Sequence, residues 1–380
     1  MFLAFLSAVL LAGSLLTAQE QGKKPVPRVP LSPPLERIAK EAEAARQANR
    51  VDDAIALYKK GLAIKPSWTE GWWYLGSLYY DLDKYTEARD AFRHVTAIDS
   101  KFAVAWAMLG LAEFQTREYD RSLTHLRQGY DLGLSDNEQL SDVAEYHLAL
   151  LLTRYEQYEQ AMKILATFAQ RNREEPDFIE AMGLAALRKP LLPAELPPTE
   201  RELVMDVGRT MYDGTALRTS QAAAEFKILL EKYPDQPSIH YLYGGFLLYS
   251  DADAGLVELK KELEISPLHV PTLVTIAAEY IRRQDYKSAL PYAEKAVAAG
   301  PQSFAAHTVL GRVLMEGDLD PSRGLKELET AKQLAPGSPQ VRIALATAYA
   351  KVGRKDDAAR EREEFQKLRK LSDAANAGFQ

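Results

Sequence analysis

The sequence predicts an all-α chain, a solenoid of antiparallel helix pairs that is irregular in its centre. Three observations predict it. Apolar residues recur at i, i+3, i+4 and i+7, which is one face of a helix, and no useful run alternates as a strand would. The pattern returns every 34 residues with short polar turns between its two stripes. Apolar residues make up 47% and charged residues 26% of the chain, the balance of a folded protein and not of a disordered one. A length of 380 residues would suggest two ordinary domains, but a solenoid escapes that rule because each repeat touches only its neighbours.

Residues 1–18 are apolar and uncharged, with small residues around Ala18. They read as a secretory signal peptide. An uncleaved membrane anchor is the alternative, since eighteen residues just span a bilayer. The chain is therefore expected to be exported, periplasmic or secreted, or else anchored to an inner membrane. Residues 19–34 hold five prolines and read as an extended linker.

The N-terminal array follows at 35–175. Its first pair carries Ile38 and Ala42, then Ala54, Tyr58, Gly61 and Pro66. In the second, Trp72, Leu75, Gly76 and Tyr79 form one stripe and Tyr85, Ala88, Phe92 and Val95 the other. Gly76 marks a close approach of two helices, which offsets the roughly 0.5–1 kcal/mol that glycine costs in a helix interior. Trp106, Leu109 and Gly110, then Tyr119 and Gly129, continue the series, and Leu148, Ala149, Tyr158, Ala161 and Leu165 form the next pair. Residues 176–236 are irregular. Phe178, Ile179, Met182 and Gly183 make a first helix, but Pro190, Pro193, Pro197 and Pro198 follow, and no helix interior accepts them. A new helix is predicted from Thr199-Glu200-Arg201-Glu202, which has the form of a capping box. The C-terminal array and its capping helix occupy 237–372, with Gly244, Ile276, Ala277, Gly311, Leu345 and Tyr349 on the inner stripes. Residues 354–370 mix acids and bases, the polar outer face that the last unit of a solenoid needs. Roughly ten helix pairs result.

The copy at 69–102 fits W-x2-L-G-x2-Y followed by A-x3-F, and it resembles the tetratricopeptide repeat. That resemblance implies a right-handed superhelix whose first helices line a concave groove. It also implies a non-catalytic scaffold or adaptor that binds a peptide or protein there. The groove positions of the family fall on Trp73, Tyr80, Phe114, Tyr146, Arg154, Tyr241, Tyr249, Arg282 and Arg312, with Arg209 and Tyr212 from the irregular centre. Aromatics and arginine are the residue types that carry interface energy. Trp73 and Tyr80 are expected to grip an apolar side chain, with Arg154 pairing a carboxylate. The carboxylate clamp known in the family is not implied, because its positions hold Glu43, Ser77 and Leu111.

No catalytic or metal constellation is predicted, and no cofactor. The chain has no cysteine, hence no thiolate site and no disulfide. Its six histidines have no zinc spacing, and His240 and His307 read as packing residues at the fourth position of their repeats. Asp251 reads as a helix cap. A net charge of −6 without a basic stripe excludes a nucleic-acid surface. Membrane contact is expected only through residues 1–18. The rival reading is an enzyme or carbohydrate-handling protein with a site near 188–220, built from Arg201, Glu202, Asp206, Arg209 and Asp213.

Overall fold

The computed structural model describes residues 31–134 and 138–377. Residues 1–18, and the linker as far as residue 30, lie outside the described residues. Among the described residues the secondary structure is helical, without a strand. No described helix is long and apolar enough to cross a membrane. The chain divides into two compact units, one up to Met205 and one from Asp206.

In the first unit, α1 (Pro33–Gln47) pairs with α2 (Val51–Ile64), α3 (Thr69–Asp81) with α4 (Tyr85–Ile98), α5 (Ala103–Gln115) with α6 (Tyr119–Leu132), and α7 (Glu138–Arg154) with α8 (Tyr158–Gln170). α9 (Pro176–Ala186) is followed by the proline-rich stretch, which makes one 3-10 turn at Pro193–Glu195, and by α10 (Arg201–Thr215). The second unit continues with α11 (Thr219–Lys232), α12 (Ile239–Leu247), α13 (Ala252–Ile265), α14 (Val270–Arg282), α15 (Tyr286–Ala299), α16 (Phe304–Glu316), α17 (Pro321–Leu334), α18 (Pro339–Lys351) and α19 (Lys355–Ala377). α10 begins at Arg201, two residues after the start expected at Thr199.

In four pairs close packing rests on a glycine at the eighth position of the repeat, and Ala42, Ala149, Ala277 and Ala346 take that position in others. A methyl placed on Gly76 would meet Phe92 at 2.8 Å, and one on Gly110 would meet Leu126 at 2.7 Å. Gly244 faces Leu259 in the same way, and Gly311 faces Leu328. At Gly183 an added methyl would fall on the carbonyl oxygen of Val204, so α9 and the start of α10 touch backbone to backbone.

The fourth position of the first helix closes the turn that precedes it. Trp72 Nε1 donates to the carbonyl of Pro66 at 2.8 Å, and Trp106 Nε1 to that of Ser100 at 2.9 Å. In the second unit the chemistry changes and the geometry stays. His307 Nε2 lies 3.0 Å from the Pro301 carbonyl, and Arg342 donates to the Pro336 carbonyl at 2.6 Å. Each acceptor is six residues earlier than its donor.

Between helix pairs, polar contacts recur at nearly one repeat. Arg89 pairs with Glu118, and Arg188 with Glu159 at 2.8 Å, in the first unit. Arg283 pairs with Asp253 at 2.6 Å, and Arg323 with Glu294 at 2.8 Å, in the second. Each such surface pair is worth about 0–1 kcal/mol, so the ladder sets register more than stability. Helix starts in the second unit are capped by side chains. Asp251 accepts from the amide of Ala254 at 3.0 Å, the role expected of it, and Asp285 and Asp320 do the same for their helices.

The turn inside several pairs carries a left-handed residue. Asn49, Asp83 and Arg117 have φ of 54°, 56° and 62°, and Gln284 and Asp318 have φ of 59° and 57°. These positions keep the repeat spacing. The end of the array is sealed by α19, where Ala358 joins Leu345, Ala348 and Tyr349 of α18 in one apolar cluster. Buried Glu361 accepts from Lys332 at 2.6 Å and Arg342 at 2.8 Å.

Two glycines of the second unit test the packing argument. Gly311→Ala should cost roughly 1–3 kcal/mol, because its obstacles include the backbone oxygen of Gly324 as well as Leu328. Gly245→Ala meets open space inside α12 and should stabilise by roughly 0.5–1 kcal/mol. Urea midpoints of the two variants should therefore move in opposite directions.

Candidate functional site

The residues singled out for a partner groove separate into three environments. Trp73, Tyr80 and Tyr212 are core. Trp73 is 3% exposed and packs on Phe92 and Phe102, with ring centroids 5.5 and 5.2 Å away. Tyr80 is 5% exposed against Tyr85, and burial pushes its hydroxyl well above the usual tyrosine range. Tyr212 is fully buried, with Arg218 lying 5.5 Å from its ring centroid. The expectation that Trp73 and Tyr80 grip a ligand is corrected accordingly. Phe102, the last residue before α5, closes over Trp73, and Tyr85 of α4 closes over Tyr80.

Phe114, Tyr146 and Arg154 are half-buried and committed to neighbours within the first unit. Phe114 and Tyr146 both stand edge-on to His147, at 4.6 and 5.3 Å. His147 Nδ1 sits 2.7 Å from the Val143 carbonyl, and burial pushes this imidazole down to about 4. The ring is neutral near pH 7 and acts as a packing element. Arg154 lies over Tyr119 at 5.1 Å and pairs with Glu195 at 2.5 Å, so a protein carboxylate already occupies the place expected for a ligand's. Next to this group, Glu145 is held 2.9 Å from Arg171 and yet is pushed up to about 7, because burial outweighs the pairing.

The second unit presents the accessible members. Tyr249 is 96% exposed in the turn between α12 and α13. Tyr241 is half-buried beside His269, with ring centroids 5.1 Å apart. Arg282 is exposed and makes two 2.7 Å bonds to Glu279, while Arg312 bonds Glu316 at 2.7 Å. Arg209 is half-buried, 6.0 Å from the Tyr212 ring centroid. Leu217 went unnoticed in the sequence. It is 85% exposed in the turn between α10 and α11, at φ 62°, a conformation costing roughly 1–2 kcal/mol outside glycine. Spacing alone could have found it, since it stands at the left-handed turn position occupied by Asp83 and Gln284 in other pairs.

Three polar residues of the rival enzyme reading are held by neighbouring side chains. Arg201 pairs with buried Glu180 at 2.5 Å in the first unit. In the second, Asp206 accepts from Lys232 at 2.6 Å and Tyr233 at 2.9 Å. Asp213 accepts from Arg218 at 2.9 Å and from Gln221 at 2.6 Å. Among the described residues no group of three or more metal-binding side chains is assembled.

Two pH limits follow for the first unit. His147 is depressed in the folded chain, so its contribution is present above its ordinary 6.5 and is lost as pH falls through about 4. The full loss is on the order of 3 kcal/mol. Glu145 is raised, so its contribution is present below its ordinary 4.5 and is lost as pH rises through about 7. His147→Gln should flatten the acid limb of a stability-versus-pH curve, and Glu145→Gln the decline between about pH 4.5 and 7. Trp73→Ala should cost about 3–5 kcal/mol, the loss expected of a core tryptophan, as read from the denaturation midpoint.

Comparison with known families agrees with the repeats. A family model of the tetratricopeptide repeat matches residues 40–102, 75–138 and 274–339. Over 88 residues the chain is 33% identical to the prefoldin subunit beta of Pyrobaculum neutrophilum, a stretch covering 21% of this chain and 70% of that protein. Solved structures similar to it include MamA (residue 41 to the end) from Desulfovibrio magneticus RS-1, at 23% identity and a TM-score of 0.37, covering 45% of this chain and 94% of that one. A MamA RS-1 ArsTM double mutant is 21% identical at a TM-score of 0.39, covering 45% of this chain and 96% of that one. The chain carries tetratricopeptide repeats within residues 40–138 and 274–339.

Proposed function

We propose that the protein is a non-catalytic scaffold that holds a peptide or protein partner, and that the second unit makes the decisive contacts. The observation that carries this reading is the exposure of Tyr249 and Leu217 in the inner turns of successive helix pairs. Large apolar side chains left in water at consecutive repeats are what an interaction surface uses. Leu217 adds a second argument, because a strained backbone that exposes leucine lowers stability without a packing return. Arg282 and Tyr241, reached from the inner helices, extend the surface with the residue types that dominate binding energy. The uncharged apolar residues 1–18 support an exported scaffold that meets its partner outside the cytoplasm, and N-terminal sequencing of the protein from its host tests that part.

The test uses a partner first captured from the native host with the full chain and then purified for titration. Tyr249→Ala should leave the unfolding midpoint unchanged and weaken binding by about tenfold or more. Leu217→Gly should raise stability by about 1 kcal/mol while weakening binding, since it relieves the left-handed leucine and removes the contact. Both variants binding as the parent does would place the surface elsewhere.

A further inference from the structure

The proline-rich stretch between α9 and α10 interrupts the repeats of the first unit and is built as a strap. Lys189 and Glu200 close its ends at 2.5 Å, so residues 189–200 form a compact loop of the Ω kind. At its tip is the 3-10 turn at Pro193–Glu195, braced by the Leu192 amide, which donates to Glu195 Oε2 at 3.0 Å. The same oxygen meets the Arg154 guanidinium, 2.5 Å away at the end of α7. Arg154 is in turn laid over the Tyr119 ring at 5.1 Å, and Phe114 stands edge-on to Tyr119 at 5.4 Å. An arginine fixed on an aromatic ring is a site for a carboxylate, and the strap supplies one. Leu192 and Leu196, before and after Glu195 in the chain, are buried, at 6% and 5% exposure.

Few bonds hold the strap down. Pro190, Pro193, Pro197 and Pro198 have no N–H to give. Among the described residues, the amides of Leu191, Leu192, Glu195 and Leu196 all donate within the strap, to Lys189, Glu195, Leu192 and Pro193. The polar attachments of residues 190–198 to other elements are the Glu195–Arg154 pair and a 3.1 Å bond from Arg201 to the Pro193 carbonyl. The Arg154 and Glu195 side chains are 30% and 40% exposed, so water can replace either partner. The strap can therefore leave as a unit with its own turn intact. We propose that residues 190–198 are an internal ligand of the first unit, and that an extended peptide carrying a carboxylate between leucines displaces them and takes over Arg154. The strap itself is the argument for that chemistry, because Leu192, Glu195 and Leu196 are what the site holds at rest. The site is then self-occupied until a competing ligand arrives. It belongs to the first unit and stands or falls apart from Tyr249 and Leu217.

The experiment titrates the full chain with a dye-labelled synthetic peptide of residues 190–198, its ends blocked. A variant combining Leu192→Ser, Glu195→Gln and Leu196→Ser releases the strap and leaves Arg154, Tyr119 and Phe114 in place. It should bind the peptide at least about tenfold more tightly than the parent chain, whose site is occupied. A peptide with glutamine in place of its glutamate should bind the variant about tenfold more weakly, the loss of one charge-assisted hydrogen bond. Equal binding by parent and variant overturns the proposal, as does equal binding of the two peptides. Should the variant fold poorly, amide exchange in the parent chain decides. With the chain labelled with nitrogen-15, saturating unlabelled peptide should quicken exchange at Leu192, Glu195 and Leu196 by about tenfold and leave α9 unchanged, because it shifts the strap toward its released state. Strap exchange that does not respond to the peptide overturns the proposal as well.

Discussion

Each helix pair depends on how closely its two backbones approach, and a small residue at the eighth position of the repeat, glycine or alanine, permits that approach. At Gly76, Gly110, Gly244 and Gly311 the missing side chain makes room for a ring or leucine from the second helix. The large residue is then buried on every side, as Phe92, Leu259 and Leu328 are. Glycine's cost in a helix is offset by dispersion contacts that a wider pair could not make. Because only neighbours touch, a small residue has to be placed again from pair to pair, which is why the feature is periodic.

The fourth-position tie shows what is free to vary once that distance is fixed. Its geometry requires a donor that reaches a carbonyl six residues back, and indole, imidazole and guanidinium all reach. What differs is the other side of the group. An indole wants a flat partner and finds a histidine ring. The imidazole of His307 and the guanidinium of Arg342 each reach a carboxylate, Glu327 and Glu361. The first unit therefore backs these junctions with rings, and the second with carboxylates.

Much of the fold was readable because helical periodicity and the 34-residue recurrence point to the same faces. Gly76 and its equivalents could be placed from spacing, and so could the Asp251 cap. The surface was harder to read. Spacing assigns a residue to a face of its own helix and says nothing of what the next element lays over that face. Trp73 illustrates this, since Phe102 lies 29 residues along and its contact with Trp73 depends on where α5 begins. Tyr249 and Tyr80 look equally good in sequence, being tyrosines near the ends of first helices. One is bare and the other buried, because α12 is only nine residues long and ends before Tyr249, whereas α3 runs through Tyr80. Helix length, fixed by tertiary packing, decided which tyrosine remained in water.

That division has a consequence for how such a scaffold can acquire a partner. Residues at the glycine contact and at the tie are constrained from both sides, so changing them costs stability before it alters recognition. Residues in the inner turns are less constrained: Asn49, Asp83, Arg117 and Leu217 meet a left-handed backbone, and the turn that holds Tyr249 has no such residue. A side chain there can change from polar to apolar at little cost to the pair beneath it. The turns are thus where a new contact is cheapest to install, and Leu217 and Tyr249 are large apolar side chains standing in them with no packing role. Stability resides in the helix interiors, and recognition can be written on the turns that join them.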